Sequence, residues 1–101
     1  LTSVNALYVE GNQSLVTLDS LSNLREVSCQ EPVCFWNSLM VRRNENLTDI
    51  SGLNNLQEVK YAVRMNDNPA LCQSQVNAFI QLLTNLGWDR SSTLTGNDDD
   101  C

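Results

Sequence analysis

The sequence predicts an α/β repeat fold, in which short parallel strands stack on one another and a C-terminal helix covers the end of the stack. Three features predict it: a 24-residue period, an asparagine that recurs at the same point of each copy, and an amphipathic segment after Cys72. We expect the 101 residues to form a single domain. Its repeats would occupy about residues 5–37, 38–61 and 62–72, with the helix and tail at residues 73–101.

The period is visible when the chain is compared with itself. Residues 7–27 and 39–59 align without a gap, and every shared apolar position is kept. These positions are Leu7, Val9, Leu15, Leu18, Leu21, Leu24 and Val27 in the first copy and Leu39, Val41, Leu47, Ile50, Leu53, Leu56 and Val59 in the second. A third copy begins at Val63, 24 residues after Leu39. One copy cannot bury its own apolar face, so the copies must stack.

Each copy opens with an alternating stretch that is typical of a short strand with one buried face. In residues 7–9 the leucine and the valine would point inward and the tyrosine outward. An asparagine follows each stretch, and its side-chain amide can bond to backbone groups of neighbouring copies. We therefore expect a buried ladder of Asn12, Asn44 and Asn68. Apolar residues at every third position then predict a partly 3₁₀ return path.

The pattern changes after Cys72. Ser74 is expected to cap a helix that ends at Gly87. The apolar face of this helix would comprise Val76, Phe79, Ile80, Leu83 and Leu86. Such a helix would cover the core side chains and strand edges at the end of the stack. The segment Ser92–Thr95 is expected to add one last short strand.

Four cysteines and the absence of histidine limit the chemistry of the chain. A zinc site would need Cys-x-x-Cys pairs or cysteine together with histidine, so we infer two disulfides. We expect Cys29 to pair with Cys34 and Cys72 with Cys101, while the two other connectivities stay open. Disulfides indicate an extracellular, secreted or cell-surface protein. With oxidised cysteines and scattered carboxylates, we expect no catalytic residue and no cofactor.

The charge of the chain limits its partners. A net charge of −6 argues against nucleic acid and anionic lipid, because phosphate binding needs clustered lysine and arginine. No run of about eighteen apolar residues exists, so membrane insertion is not expected. The acidic run Asp98–Asp100 could attract calcium, but consecutive residues in an extended tail point apart. We interpret this run as a solvated tail and expect no metal site.

Outward positions of the strands give the first candidate binding surface. In a parallel stack they form two files, one of Tyr8, Met40 and Arg64 and one of Glu10, Arg42 and Asn66. The face is locally basic through Arg42, Arg43 and Arg64. These arginines favour an acidic partner or pair with Glu10 and Glu45, and the alternative is an ordinary solvated face. The second candidate is the insertion between Val27 and Leu39, where Phe35 and Trp36 offer apolar anchors. Alternatively, these aromatics fold back and shield a side of the stack.

Two asparagines begin the glycosylation pattern Asn-x-Ser/Thr, which often arises by chance. Asn12 is expected to be buried in the ladder. Asn46 is therefore the candidate for glycosylation, in a eukaryotic source.

Two motifs resemble those of a known family. The spacing of Val4, Leu7, Val9 and Asn12 is close to the leucine-rich-repeat consensus, and it recurs along the chain. Residues 68–72, Asn-Pro-Ala-Leu-Cys, lead into the predicted helix. This segment resembles the C-terminal end of the L domains of epidermal growth factor receptors and insulin receptors, and of their secreted bacterial and lower eukaryotic relatives.

The resemblance covers nearly the whole chain and implies a right-handed leucine-rich solenoid with a C-terminal capping helix. It implies a non-catalytic extracellular module that recognises a protein or glycan ligand. The alternative is a structural end-piece that only terminates a longer repeat array. The insertion with Cys29 and Cys34 departs from the common pattern of the family, and no ligand is carried over because binding residues vary within it.

Overall fold

The structure is a computed structural model that describes residues 3–4, 6–27, 39–60 and 62–101. Within these residues it is a small α/β domain of parallel strands with one helix. The strands are β1 (Ser3–Val4), β2 (Leu7–Glu10), β3 (Glu26–Val27), β4 (Leu39–Arg42), β5 (Glu58–Val59), β6 (Val63–Asn66) and β7 (Ser92–Thr93). The helix α1 spans Gln73–Asn85.

The strands form two parallel sheets. The minor sheet has the order β1-β3-β5 and the major sheet the order β2-β4-β6-β7. In the major sheet Leu7 pairs with Leu39, which in turn pairs with Val63, so the register reproduces the alignment of the three copies. The expected last strand is confirmed, although it covers only Ser92–Thr93, and it joins β6 in parallel.

Inward side chains of the strands, the return segments and α1 form one apolar core. Its buried residues are Leu18, Leu24, Val27, Leu39, Val41, Leu47, Ile50, Leu53, Leu56, Val59, Val63, Met65, Leu71, Val76, Phe79 and Leu83. The expected alternation is clearest in β6, where Val63 and Met65 are buried while Arg64 and Asn66 are partly exposed. Leu7 is only partly buried, because β2 lies at the edge of its sheet.

The return segments pass through the predicted 3₁₀ turns, at Asp19–Leu21 and Ser51–Leu53. A carboxylate oxygen of Asp49 accepts the backbone N–H of Ser51 at 2.8 Å. Hydrogen bonds from the side chain and the backbone of Ser51 lower the pKa of Asp49. A Cβ atom at Gly52 would lie 2.1 Å from the carbonyl oxygen of Leu18, so only glycine allows the two turns to stack so closely.

The helix begins differently from the prediction and ends as predicted. Cys72 occupies the N-cap position in an extended conformation, so the expected cap by Ser74 is wrong. The reason is a β-bridge between Cys72 and Asp98, which keeps the chain extended up to the first helical residue. At the C-terminal end, Gly87 has a φ of +100° and donates its N–H to the carbonyl of Thr84. This geometry is that of a glycine-terminated helix.

The buried face of α1 matches the predicted periodicity except at its last position. Val76, Phe79 and Leu83 are buried, and Ile80 packs against the core while partly exposed. Leu86 is 53 % exposed, so its expected place on the buried face is wrong. It lies at the C-cap, where the backbone leaves the helical path and no longer follows the 3.6-residue period.

Two links join α1 to the rest of the chain. The side chain of Gln75 accepts the backbone N–H of Ile50 at 2.8 Å and donates to the carbonyl of Thr48 at 2.9 Å. The disulfide between Cys72 and Cys101 is present as expected and connects the start of the helix to the tail. The helix is therefore anchored at its N-terminal end to the second return segment and to the tail.

Candidate binding surface

The outward face of the major sheet carries the strand residues predicted to bind a partner. Parallel register aligns one file of Tyr8, Met40, Arg64 and Thr93. It aligns a second file of Glu10, Arg42 and Asn66. The six predicted positions therefore lie next to one another on three neighbouring strands.

Exposure along the first file is uneven. Tyr8 is 57 % exposed, and Arg64 is partly exposed. Met40 is only 8 % exposed, so the expectation that it offers an accessible side chain is wrong. Met40 is buried but does not belong to the apolar core cluster. Register places Met40 between Tyr8 and Arg64, and a flexible thioether chain flanked on both sides loses exposure readily.

The charges of this face are partly neutralised. Arg42 forms an ion pair with Glu10, its neighbour on the adjacent strand, as one of the two expectations for the arginines had it. The side chain of Arg64 forms no ion pair with another described residue. The side-chain nitrogen of Asn66 donates to a carboxylate oxygen of Asp67 at 2.9 Å. The side-chain oxygen of Asn66 is buried and accepts no hydrogen bond from another described residue. Among the described residues, Arg64 is therefore the arginine of the two files that has no ion pair.

The asparagine ladder lies where the strands of the major sheet end. Asn44 donates through its side chain to the carbonyl of Val9 at 3.0 Å and to the side chain of Asn68 at 3.1 Å. Its own side-chain oxygen accepts the backbone N–H of Asn12 at 3.1 Å. Asn44 and Asn68 are fully buried, as predicted. Asn12 joins the ladder but is exposed, contrary to the expectation, because it lies beyond the edge strand β2.

A fourth rung was missed from the sequence. The side-chain oxygen of Asn97 accepts both the backbone and the side-chain N–H of Asn68 at 3.2 Å, and its amide donates to the carbonyl of Met65 at 2.7 Å. The signal for it was present, since Leu94 and Asn97 repeat the spacing of Val9 and Asn12.

Each rung is preceded by a residue in the left-handed region. The φ values are 71° at Gly11, 58° at Arg43, 60° at Asp67 and 80° at Gly96. A single left-handed residue reverses the chain direction sharply, which places the following amide inside the turn. Four equivalent turns therefore follow the strands of the major sheet and place the four asparagines at corresponding positions.

Other predicted site residues lie in different places. Cys29, Cys34, Phe35 and Trp36 lie outside the described residues. Asn46, the glycosylation candidate, is exposed in a turn and donates its side-chain amide to the carbonyl of Gln13. The side-chain nitrogen that glycosylation would modify is therefore at the surface and already hydrogen-bonded to the neighbouring repeat.

The acidic tail is bound to the domain by its backbone. Asp98 donates its N–H to the carbonyl of Leu71 at 2.8 Å and accepts the N–H of Gln73 at 2.7 Å. In the described ranges no group of three or more cysteine, aspartate or glutamate side chains is placed to hold a metal ion. Across the same ranges, no helix has the length and apolar character that crossing a bilayer requires.

The described residues define the class as a small α/β repeat domain. Its parallel strands have a repeated register, an asparagine follows each strand of the major sheet, and one helix follows the last repeat. The sequence pattern of the Receptor L domain family matches residues 4–84, which is most of the chain. The chain therefore belongs to the receptor L domain family, whose members are ligand-binding modules of receptors rather than enzymes. Neither the curated proteins nor the solved structures contained a match.

Proposed function

We propose that the chain is an extracellular, non-catalytic recognition module for a protein or glycan ligand. In this proposal residues 1–101 form one unit, the end of a right-handed leucine-rich solenoid that α1 caps. Membership of the receptor L domain family and the Cys72–Cys101 disulfide support it. The buried positions Phe79 and Leu83 on α1 support the capping role, since both belong to the same core as the strands.

The observation that carries the binding proposal is the outward face of the major sheet. Its side chains come from three strands in register and include an exposed aromatic, Tyr8, and a partly exposed cation, Arg64, that has no ion pair with another described residue. Tyrosine and arginine are the residue types that contribute most at recognition surfaces. The Arg42–Glu10 pair and Asn66 would surround them with polar groups. The insertion residues Phe35 and Trp36 are proposed as further anchors.

The test is a binding screen of the chain against extracellular proteins and glycans. With a ligand in hand, Arg64→Glu is expected to weaken binding about tenfold or more, because it replaces a cation of this face by an anion. Tyr8→Ala and Trp36→Ala are expected to weaken binding as well. Arg42→Glu should also weaken it, since it breaks the pair with Glu10 and places two anions side by side.

Arg25→Glu is the matched control, because it reverses the same charge next to the minor sheet. It should bind as the parent does, and all variants should melt close to the parent temperature. If every ligand binds Arg64→Glu and Tyr8→Ala at parental strength, the face is an ordinary solvated surface. The alternative of a purely structural end-piece then stands.

A further inference from the structure

The two sheets differ by one strand. In chain order the first six strands alternate between the minor and the major sheet, whereas β7 extends the major sheet without a described counterpart in the minor sheet. The chain runs from β6 into α1 and returns at β7, so that no described strand follows β5 in the minor sheet. The place next to β5, where the repeat would continue, is open as far as the described strands are concerned.

The backbone of β5 presents hydrogen-bonding groups toward this place. The N–H groups of Glu58 and Lys60 donate to the carbonyls of Arg25 and Val27 on the side of β3. In a parallel strand the intervening residue directs its N–H and C=O to the opposite side, so those of Val59 point away from β3. No hydrogen bond joins Val59 to a group outside the minor sheet among the described residues. An edge of this kind is a template for a further strand.

A groove of about 350 Å³ runs along this edge. Its opposite wall includes Leu83, Leu86 and Trp88, where the chain leaves α1. Leu86, left exposed at the C-cap, therefore contributes apolar surface to the groove. A second groove of about 620 Å³ shares Gln57 and Leu86 with the first, so the two adjoin. Volumes of this size lie within the range of ligand sites in proteins.

The register of the minor sheet indicates which side chains a further strand should place beside Glu58 and Val59. Glu26 and Glu58 are neighbours across β3 and β5, and Glu58 is exposed without an ion pair among the described residues. Lys60, Asp89 and Arg90 also line the groove, so its formal charges balance as a whole. Cross-strand pairing acts between direct neighbours, however, so a basic residue directly beside Glu58 would be favoured over an acidic one. The next positions are Val4, Val27 and Val59 across the three strands. A β-branched apolar residue suits the place beside Val59, because its side chain would continue this row.

We propose that the groove between β5 and the end of α1 binds an extended peptide segment of a partner chain, in which a basic residue precedes valine or isoleucine. The segment adds to β5 as a parallel fourth strand of the minor sheet and hydrogen-bonds to the N–H and C=O of Val59. This site is separate from the outward face of the major sheet and does not depend on the function proposed for that face.

The probe is a fluorescein-labelled blocked peptide, Thr-Lys-Val-Thr-Val-Thr, titrated against the chain by fluorescence anisotropy. Replacement of its lysine by glutamate is expected to weaken binding about tenfold or more, because a second anion meets Glu58. A peptide N-methylated at the threonine after the first valine should bind at least about tenfold more weakly, since it cannot donate to the carbonyl of Val59. Bound peptide should slow hydrogen exchange at the Val59 amide.

The variant Glu58→Lys should invert the preference between the lysine and glutamate peptides. Glu45→Lys is its matched control, an exposed charge reversal in a turn away from β5, and should leave the preference unchanged. Three results would each overturn the proposal: no binding of the lysine peptide at about 1 mM, equal binding of the N-methylated peptide, or an unchanged preference in Glu58→Lys. None of these results bears on ligand binding by Tyr8 and Arg64.

Discussion

At the scale of the residue, the asparagine ladder links neighbouring repeats through side-chain hydrogen bonds. The side chain of Asn44 is fully buried, and its oxygen and nitrogen both bond to groups of neighbouring repeats. A buried amide is stabilising only when its partners are satisfied, and here each rung satisfies the next. Asn97 closes the ladder at the C-terminal end and donates to the side chain of Gln73 as well.

We expect Asn44→Ala to lower the free energy of unfolding by about 1 to 3 kcal/mol, because it leaves the carbonyl of Val9 and the N–H of Asn12 without their partners. Asn12→Ala is the matched comparison, since this rung is exposed and water can replace its bonds. It should cost well under about 1 kcal/mol. Urea unfolding curves measure the stability of both variants. Equal losses of stability would contradict the expected difference between the buried rung Asn44 and the exposed rung Asn12.

The left-handed turns give a second prediction. Arg43 adopts a φ of 58°, where glycine is favoured, and its side chain is exposed. We expect Arg43→Gly to leave the stability unchanged or raise it by up to about 1 kcal/mol. Gly96→Ala should lower it by about 1 to 3 kcal/mol, because the added Cβ would lie 3.0 Å from the backbone nitrogen of Asp67 at a φ of 80°. Thermal melts that rank the two variants in the opposite order would contradict this account.

At the scale of the element, α1 depends on the packing of one face. Phe79 and Leu83 are buried against the core, whereas the C-cap residue Leu86 is not. The turn at Gly87 explains this difference. The N–H of Trp88 donates to the carbonyl of Leu83 at 3.0 Å, and the partly buried Trp88 packs against the core.

Phe79→Ala should destabilise the domain by about 3 to 5 kcal/mol, since it removes a buried aromatic ring and leaves a cavity. Leu86→Ala, on the same helix and exposed, should cost less than about 1 kcal/mol. Denaturant titration followed by circular dichroism gives both values. A loss below about 1 kcal/mol for Phe79→Ala would mean that α1 does not cover the core.

At the scale of the whole molecule, the tail and the start of α1 close the C-terminal end together. The Cys72–Cys101 disulfide, with a separation of 29 residues, lies beside the β-bridge between Cys72 and Asp98. The backbone bonds of Asp98 and the ladder contact of Asn97 hold the tail at several points besides the disulfide. The tail is thus part of the folded domain.

Replacing both Cys72 and Cys101 by serine is expected to lower the free energy of unfolding by about 3 to 4 kcal/mol, the loop-entropy value for a loop of this length. Urea unfolding under non-reducing conditions measures the loss. Peptide mapping without reduction should recover the Cys72–Cys101 peptide from the parent, and a Cys34–Cys72 peptide would contradict the pairing. The reduced parent should unfold at about the same urea concentration as the double variant, apart from any contribution of Cys29 and Cys34.

Much of the fold was predictable from the sequence because the same apolar and asparagine positions recur in each repeat. The apolar spacing and the asparagines predicted the register of β2, β4 and β6 and the buried rungs Asn44 and Asn68. Features that occur once were missed or misplaced. Ser74 looked like a helix cap, but the bridge to Asp98 places the helix start at Cys72, and that contact spans the tail.

The candidate site was predicted in position and only partly in character. Alternation alone assigns Tyr8, Met40 and Arg64 to one file, because successive residues of a strand point to opposite faces. Alternation does not say which of them is accessible, and Met40 proved to be shielded. Likewise, the sequence pattern treated Arg42 and Arg64 alike, whereas the structure pairs Arg42 with Glu10 and gives Arg64 no ion pair with another described residue.

The sequence by itself determined the class of fold, the strand register and the composition of the core, since these follow from periodicity along the chain. Only the tertiary structure decided how the last repeat ends: the fourth rung at Asn97, the start of α1 at Cys72 and the open edge of β5. The physical reason is that each of these depends on contacts between segments far apart in the chain. Local pattern carries no information about which backbone groups such contacts satisfy and which they leave exposed.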